Sequence, residues 1–147
     1  MFPNQKISES LVMVANIAPI SQGVGSAATA WVPVKNYHQL AAIINTGVLG
    51  TAATVDAKLQ QAQDASGTGA KDITGKAITQ IVKATGDGKQ AIINVRTQEL
   101  DTNGGFTHVG LSVTVAAAAS LVSAELVAMP RYAPASSLNP AAVVQVV

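Results

Sequence analysis

The sequence predicts an all-β domain, a single β-sandwich or jelly-roll-like body of about seven or eight strands, and three observations carry that expectation. First, apolar and polar residues alternate with period two, most cleanly in Thr54–Gln63, where Val55, Ala57 and Leu59 oppose Asp56, Lys58 and Gln60. Second, Gly, Asn, Asp, Ser and Pro clusters interrupt these segments about every ten residues, the turn rhythm of short antiparallel strands. Third, apolar residues make up 48% of the 147 positions but aromatics only 3%, so the core is built from Ala, Val, Leu and Ile. Such side chains suit two thin, closely packed sheets better than a deep, aromatic-walled ligand cavity.

Taken in order, residues 1–10 are polar with an early proline and form an N-terminal arm, with Phe2 and Ile7 as its apolar contacts. Leu11–Ile20 is an apolar strand that Pro19 pushes towards a sheet edge. Ala27–Val34 follows a Gly/Ser loop and carries Trp31, the only tryptophan, expected as a core or interface anchor. Gln39–Asn45 suits helix or strand by composition, but its length and the Asn-Thr-Gly behind it favour strand. After Thr54–Gln63 comes the turn-rich loop Asp64–Ala70, then a strand over Ile73–Val82 broken at Gly75. Thr85–Gly88 reads as a hairpin-type turn into Gln90–Leu100, and Asn103-Gly104 as a tight primed turn into the strand through Val109, Leu111, Val113 and Val115. Ala116–Ser120 is a connection too short for a helix, and Leu121–Met129 is the last strand. The β-domain thus spans 11–130.

Residues 131–147 form an extended C-terminal arm. Pro130, Pro134 and Pro140 forbid a continuous helix, and the segment ends in Val143, Val144, Val146 and Val147. Fully extended, it reaches roughly 55 Å. Left in water it is a β-prone apolar segment, suited either to folding back as an edge strand or to adding a strand to a neighbour, and the latter is the expectation. The candidate partner-binding residues are Leu138, Val143, Val144, Val146 and Val147 on this arm, Phe2 and Ile7 on the other, and Arg131 and Tyr132 at the junction.

Other function classes find little support. Net charge is +1, and the nine Lys and Arg are dispersed without aromatic interleaving, so no nucleic-acid partner is expected. Zero cysteines excludes disulfides and thiolate metal sites. The N-terminus lacks a secretory pattern, and the longest apolar run, Val113–Val122, is far too short for a membrane helix. His38 and His108 have no carboxylate at short spacing to fix a tautomer, so a structural role is expected for both. Glu99 and Asp101, with Asn103, are the best calcium candidate, yet such a pair more often caps a turn. Asp64–Gly69 superficially matches a phosphate loop but lacks the following Lys-Ser/Thr. No enzyme activity, cofactor, metal or small-molecule substrate is expected.

Four runs bear a family resemblance: VDAKLQQAQDASGTGAKDITGKAITQI, KQAIINVRTQELD, GFTHVGLSVTVAAAASLVSAELVAM and the closing RYAPA. In this order, over about Val34–Pro134, the chain resembles small virion proteins of tailed bacteriophages, capsid decoration (cement) proteins most. The resemblance implies a β-sandwich virion component with terminal arms, commonly trimeric, on the outside of the major capsid protein shell. Its implied partners are the major capsid protein and further copies of itself, and its implied location is the virion surface after synthesis in the host cytoplasm. A head–tail adaptor or tail component is the alternative within that class. A carbohydrate- or host-surface-binding β-sandwich is the alternative outside it.

Overall fold

Two antiparallel sheets face each other in a computed structural model that describes residues 4–132 and 138–147. The first sheet has the order β1 (Val12–Gln22), β10 (Ser120–Pro130), β4 (Tyr37–Thr46), β8 (Gln90–Arg96). The second has the order β2 (Gly25–Ala28), β9 (His108–Ala116), β5 (Thr54–Ala62), β6 (Lys71–Ala77). Two short strands complete it: β3 (Val32–Pro33) continues beside β9, and β7 (Ile81–Val82) continues beside β5. The chain crosses from one sheet to the other at six of its nine strand-to-strand connections, and its first and last strands are neighbours. This is a jelly-roll β-sandwich.

The ten strands occupy eight ladder positions, because two positions are each split in two. The expected strand Ala27–Val34 divides into β2 and β3 at Thr29. There the Thr29 amide donates to the Leu111 carbonyl and the Leu111 amide donates to the Thr29 hydroxyl, each at 3.0 Å. A side-chain oxygen takes the place of a backbone carbonyl, so the ladder jogs without losing a bond. The expected strand Ile73–Val82 becomes β6 and β7. Gly75, at φ +74, does not end β6 but sits in a bulge, marked by the register shift between Lys58 and Gln60 on β5.

Alternation builds the core. Along β10, Val122, Ala124, Leu126 and Ala128 are buried while Leu121, Glu125 and Met129 face out. Opposite them, Val55, Ala57 and Leu59 on β5 and Val109, Leu111, Val113 and Val115 on β9 are almost fully buried. Buried alanines across from leucines and valines let the sheets approach closely, which is why so few aromatics are needed. As Pro19 suggested, β1 is an edge strand; its register shifts between Ile17 and Ile20, around the proline.

Three expectations are corrected. Asn103-Gly104 is not a primed hairpin turn: the positive φ falls on Gly105 (+76), and the Asp101 carboxylate accepts the Gly104 amide at 2.9 Å. Nor is Thr85–Gly88 a hairpin turn; a one-turn helix, α2 (Lys83–Gly86), leads out of β7 towards β8 in the other sheet. The physical reason is common to both. A two-residue turn returns the chain to its own sheet, whereas these loops must cross the roughly 10 Å between packed sheets. Finally, β8 stops at Arg96 and Thr97–Glu99 form a 3-10 turn, closed where the Glu99 carboxylate accepts the Arg96 amide at 2.7 Å.

Trp31 lies outside the core, half-buried on the outer face of the second sheet. Gly110 lies beneath its ring and Gly67 of the β5–β6 loop beside its indole nitrogen: added Cβ atoms would come within 2.9 Å of Cε3 and 2.6 Å of Nε1. The single tryptophan therefore clamps a loop to a sheet face.

Candidate partner-binding surfaces

Both terminal segments leave the same end of the sandwich. Val12 at the start of β1 pairs with Ala128 near the end of β10, so the two chain ends emerge side by side. On the N-terminal side, residues expected to be a loose arm include a one-turn helix, α1 (Ile7–Ser10), entered where the Glu9 carboxylate accepts the Lys6 amide at 3.1 Å. Ile7 is 72% exposed on it. Phe2 lies outside the described residues.

At the junction, Arg131 ties three elements together. Its amide donates to the Asn36 carbonyl at 2.7 Å, and its guanidinium donates to the Thr97 hydroxyl at 2.9 Å and approaches His38 Nδ1 at 3.4 Å. Thr97 in turn donates to the His38 carbonyl at 3.2 Å. The Arg131 contact makes Nδ1 of His38 an acceptor. Tyr132, next in the chain, is 70% exposed.

Residues 138–147 contain no strand. Instead Leu138 packs against the core, Asn139 Oδ1 accepts the Met13 amide at 3.2 Å, and the Val143 amide donates to the Pro140 carbonyl at 2.9 Å. Pro140, Ala142 and Val143 close a small cavity of about 150 Å³ over Met13, Ala15, Asn16 and Glu125. The tail thus starts by lying back on its own edge strand, held by an asparagine side chain rather than by a β-ladder. Beyond it, Val144 and Val147 are more than nine-tenths exposed and Val146 half exposed. Arg131, Leu138 and Val143 are engaged with the domain; Ile7, Tyr132, Val144, Val146 and Val147 project from it.

The expected non-catalytic roles have visible partners. His108 Nδ1 is 2.9 Å from the Thr107 hydroxyl. Lys76 pairs with Glu99 at 2.9 Å and Lys71 with Asp101 at 2.7 Å, and these lysines and local amides hold both carboxyls below the usual range. Among the described residues no group of three or more His, Asp or Glu is placed to hold a metal. In the Asp64–Gly69 loop the Asp64 carboxylate accepts the Thr68 hydroxyl and the Ser66 and Thr68 amides, at 2.6, 2.8 and 3.1 Å. Those amides are consumed by the loop's own aspartate and cannot cradle a phosphate.

One surface was missed by sequence reasoning. Ile92 on β8 is 62% exposed and pairs across the ladder with Ile43 on β4, half-buried on the same outer face. The doublets Ile43-Ile44 and Ile92-Ile93 were the available signal, because a strand with one solvated face should spend only one of each pair inward.

No family model matches the chain, and no curated protein does either. Among solved structures, the chain is similar to a chain of the Broad Bean Stain Virus particle, with 11% identity over 89% of this chain and 91% of that one and a TM-score of 0.51. Weaker likenesses are to the Cowpea mosaic virus top component (TM-score 0.40, 11% identity, 91% and 90% covered) and the carbohydrate-binding module TmCBM61 (0.38, 11%, 74% and 68%). These likenesses are of fold, and the fold class is the jelly-roll β-sandwich that the strand order defines. Nearly the whole of this chain aligns with nearly the whole of the bean-virus chain, so the resemblance is of one complete sandwich with another.

Proposed function

We propose that the chain is a structural component of a virus particle, a decoration protein that binds the outer surface of a tailed-phage capsid and reinforces contacts between capsomers. The observation that carries this reading is the pair of terminal segments, which leave one end of the sandwich and expose large apolar side chains. Ile7 and Tyr132 are exposed where the segments leave, and Val144, Val146 and Val147 are exposed after the tail has turned back along β1. Exposed apolar residues in both terminal segments give the body two adhesive strips by which to attach. Similarity in fold over 89% of this chain to a viral particle chain supports the fold such a role uses. A trimer of such bodies multiplies its arms and gains avidity without any new contact. Binding only the assembled lattice stabilises that lattice by linkage.

Two measurements test this. Truncation after Pro130 abolishes occupancy on purified capsids while the sandwich still melts cooperatively; undiminished occupancy removes the role of the arm. A density map of the intact particle shows many copies on the shell surface. Copies confined to one vertex or to the tail identify an adaptor or tail component instead.

A further inference from the structure

A cavity of about 340 Å³ opens beside the arm junction, lined by Val34, Lys35, Thr97, Gln98, Thr102, Phe106, Thr107 and Arg131. Its chemistry is one-sided. It holds two cations, three hydroxyls and one amide over an apolar floor, and no carboxylate lines it. Among the described residues neither Lys35 nor Arg131 makes an ion pair, although four of the other cations do. The carboxylates nearest in sequence to the lining, Glu99 and Asp101, are already occupied by Lys76 and Lys71. The positive charge at this cavity is therefore not neutralised from within the molecule.

The floor is fixed. Phe106 is 8% exposed, and Lys71 Nζ lies 4.3 Å from its ring centroid, so its ring is pinned by a cation–π contact. Arg131 is held at its backbone by Asn36 and at its two terminal guanidinium nitrogens by Thr97 and His38, which leaves the remaining N–H donors of its planar fork to present outward. A preset guanidinium beside a lysine suits a carboxylate. Thr97 and Thr107 already donate to the His38 and Gln63 carbonyls and so offer their hydroxyl oxygens as acceptors, which with Thr102 and the Gln98 amide suit a ligand that carries hydroxyls of its own; Val34 and the exposed edge of Phe106 give the apolar floor. The volume falls at the small end of ligand-binding cavities.

We propose that this cavity binds a carboxylate-bearing sugar unit, its carboxylate between Lys35 and Arg131, its hydroxyls donating to Thr97 and Thr107 and pairing with Gln98 and Thr102. An acidic side chain from a protein partner is the less suited occupant, since it satisfies the two cations but leaves the hydroxyl-lined wall unmatched. This inference does not depend on capsid attachment through the terminal segments. The two fail separately.

The test is a titration of the full chain, by calorimetry or by amide chemical shifts, with D-glucuronate, D-glucose and glutarate. Glucuronate binds saturably, with shifts at Thr97, Gln98 and Thr107; glucose and glutarate each bind about tenfold more weakly or worse. Lys35→Gln weakens glucuronate binding about tenfold, the loss expected for one charge-assisted hydrogen bond. The Lys35 side chain makes no hydrogen bond among the described residues, so K35Q leaves the melting temperature unchanged and reads binding alone. Arg131→Gln weakens binding by at least as much, with R131K recovering only part because the fork is lost. Three outcomes overturn the proposal: no saturable binding of glucuronate, glutarate binding as tightly as glucuronate, or binding that survives K35Q undiminished.

Discussion

Thr46 shows how a single side chain holds one end of the sandwich. It is 5% exposed, its hydroxyl reaches the Gly86 and Lys89 carbonyls at 2.6 and 3.0 Å, and it accepts the Lys89 amide at 3.0 Å. Thr46→Val keeps the shape but leaves the Gly86 carbonyl and the Lys89 amide without this partner, while the Lys89 carbonyl keeps the Thr46 amide at 2.8 Å; chemical denaturation is expected to show a loss of about 1–3 kcal/mol. Gly110→Ala is expected to cost about 1–3 kcal/mol by overpacking, because the new methyl would press on the Trp31 ring. Combining G110A with a smaller residue at Trp31 should recover much of that loss, which a double-mutant cycle reads directly. Hydrogen bonds hold the carboxyls of Asp64, Asp72, Asp87, Glu99 and Asp101 below their ordinary values: Thr68 leads for Asp64, the Arg96 amide for Glu99, and lysines for the rest. A carboxyl with a depressed folded value stabilises the fold fully above its unfolded value, about pH 4, and loses that contribution as pH falls through the lower folded value. Melting temperature should therefore be flat from pH 7 to about 5 and fall below about 4. Because all five groups are largely solvated, added salt should shrink the effect.

At the scale of elements, what the sequence made legible depended on how local the cause was. Val55–Ala62 and Ala91–Val95 announced themselves because each side chain chooses its face by its own polarity. The strand breaks at Thr29 and Gly75 were less visible, since they depend on a partner strand that no local pattern names. Turn chemistry misled for the same reason. Asn103-Gly104 has the composition of a hairpin, but β8 and β9 belong to different sheets, and that fact lives in the pairing of distant strands. The arms were half legible: their exposed valines follow from composition, while the seat of Leu138 and Asn139 on β1 depends on contacts more than a hundred residues apart. The cation-lined cavity left no sequence motif, as its walls come from residues 34 to 131. The loops opposite the arms store strain that can be tested. Ala52 and Ala117 adopt φ +57 and +69, a left-handed conformation that costs a residue with a Cβ about 1 kcal/mol or more. Ala117→Gly relieves this at some cost in unfolded-state entropy, and a net gain of a few tenths to about 1 kcal/mol is expected by thermal melting.

For the whole molecule, the decisive fact is where the last strand sits. Within the first sheet β10 lies between β1 and β4, and neither of those pairs with the other. Leu126 on that strand is fully buried, and Leu126→Ala should cost about 2–5 kcal/mol, among the largest losses available to a single truncation. Comparison with Leu121→Ala, on the same strand but 47% exposed, separates burial from strand propensity. The same placement governs how the molecule comes into being. While a ribosome is still making residues 1–119, β1, β4 and β8 have been synthesised, but the strand that joins β1 to β4 does not yet exist. β4 and β8 can already pair, but β1 has to wait as unpaired, apolar-faced chain until β10 threads between it and β4. Completion of the first sheet therefore comes late, in the millisecond-to-second range of β-rich chains with distant pairings. During that interval the nascent protein depends on dilution or chaperones to keep its open edges from finding one another.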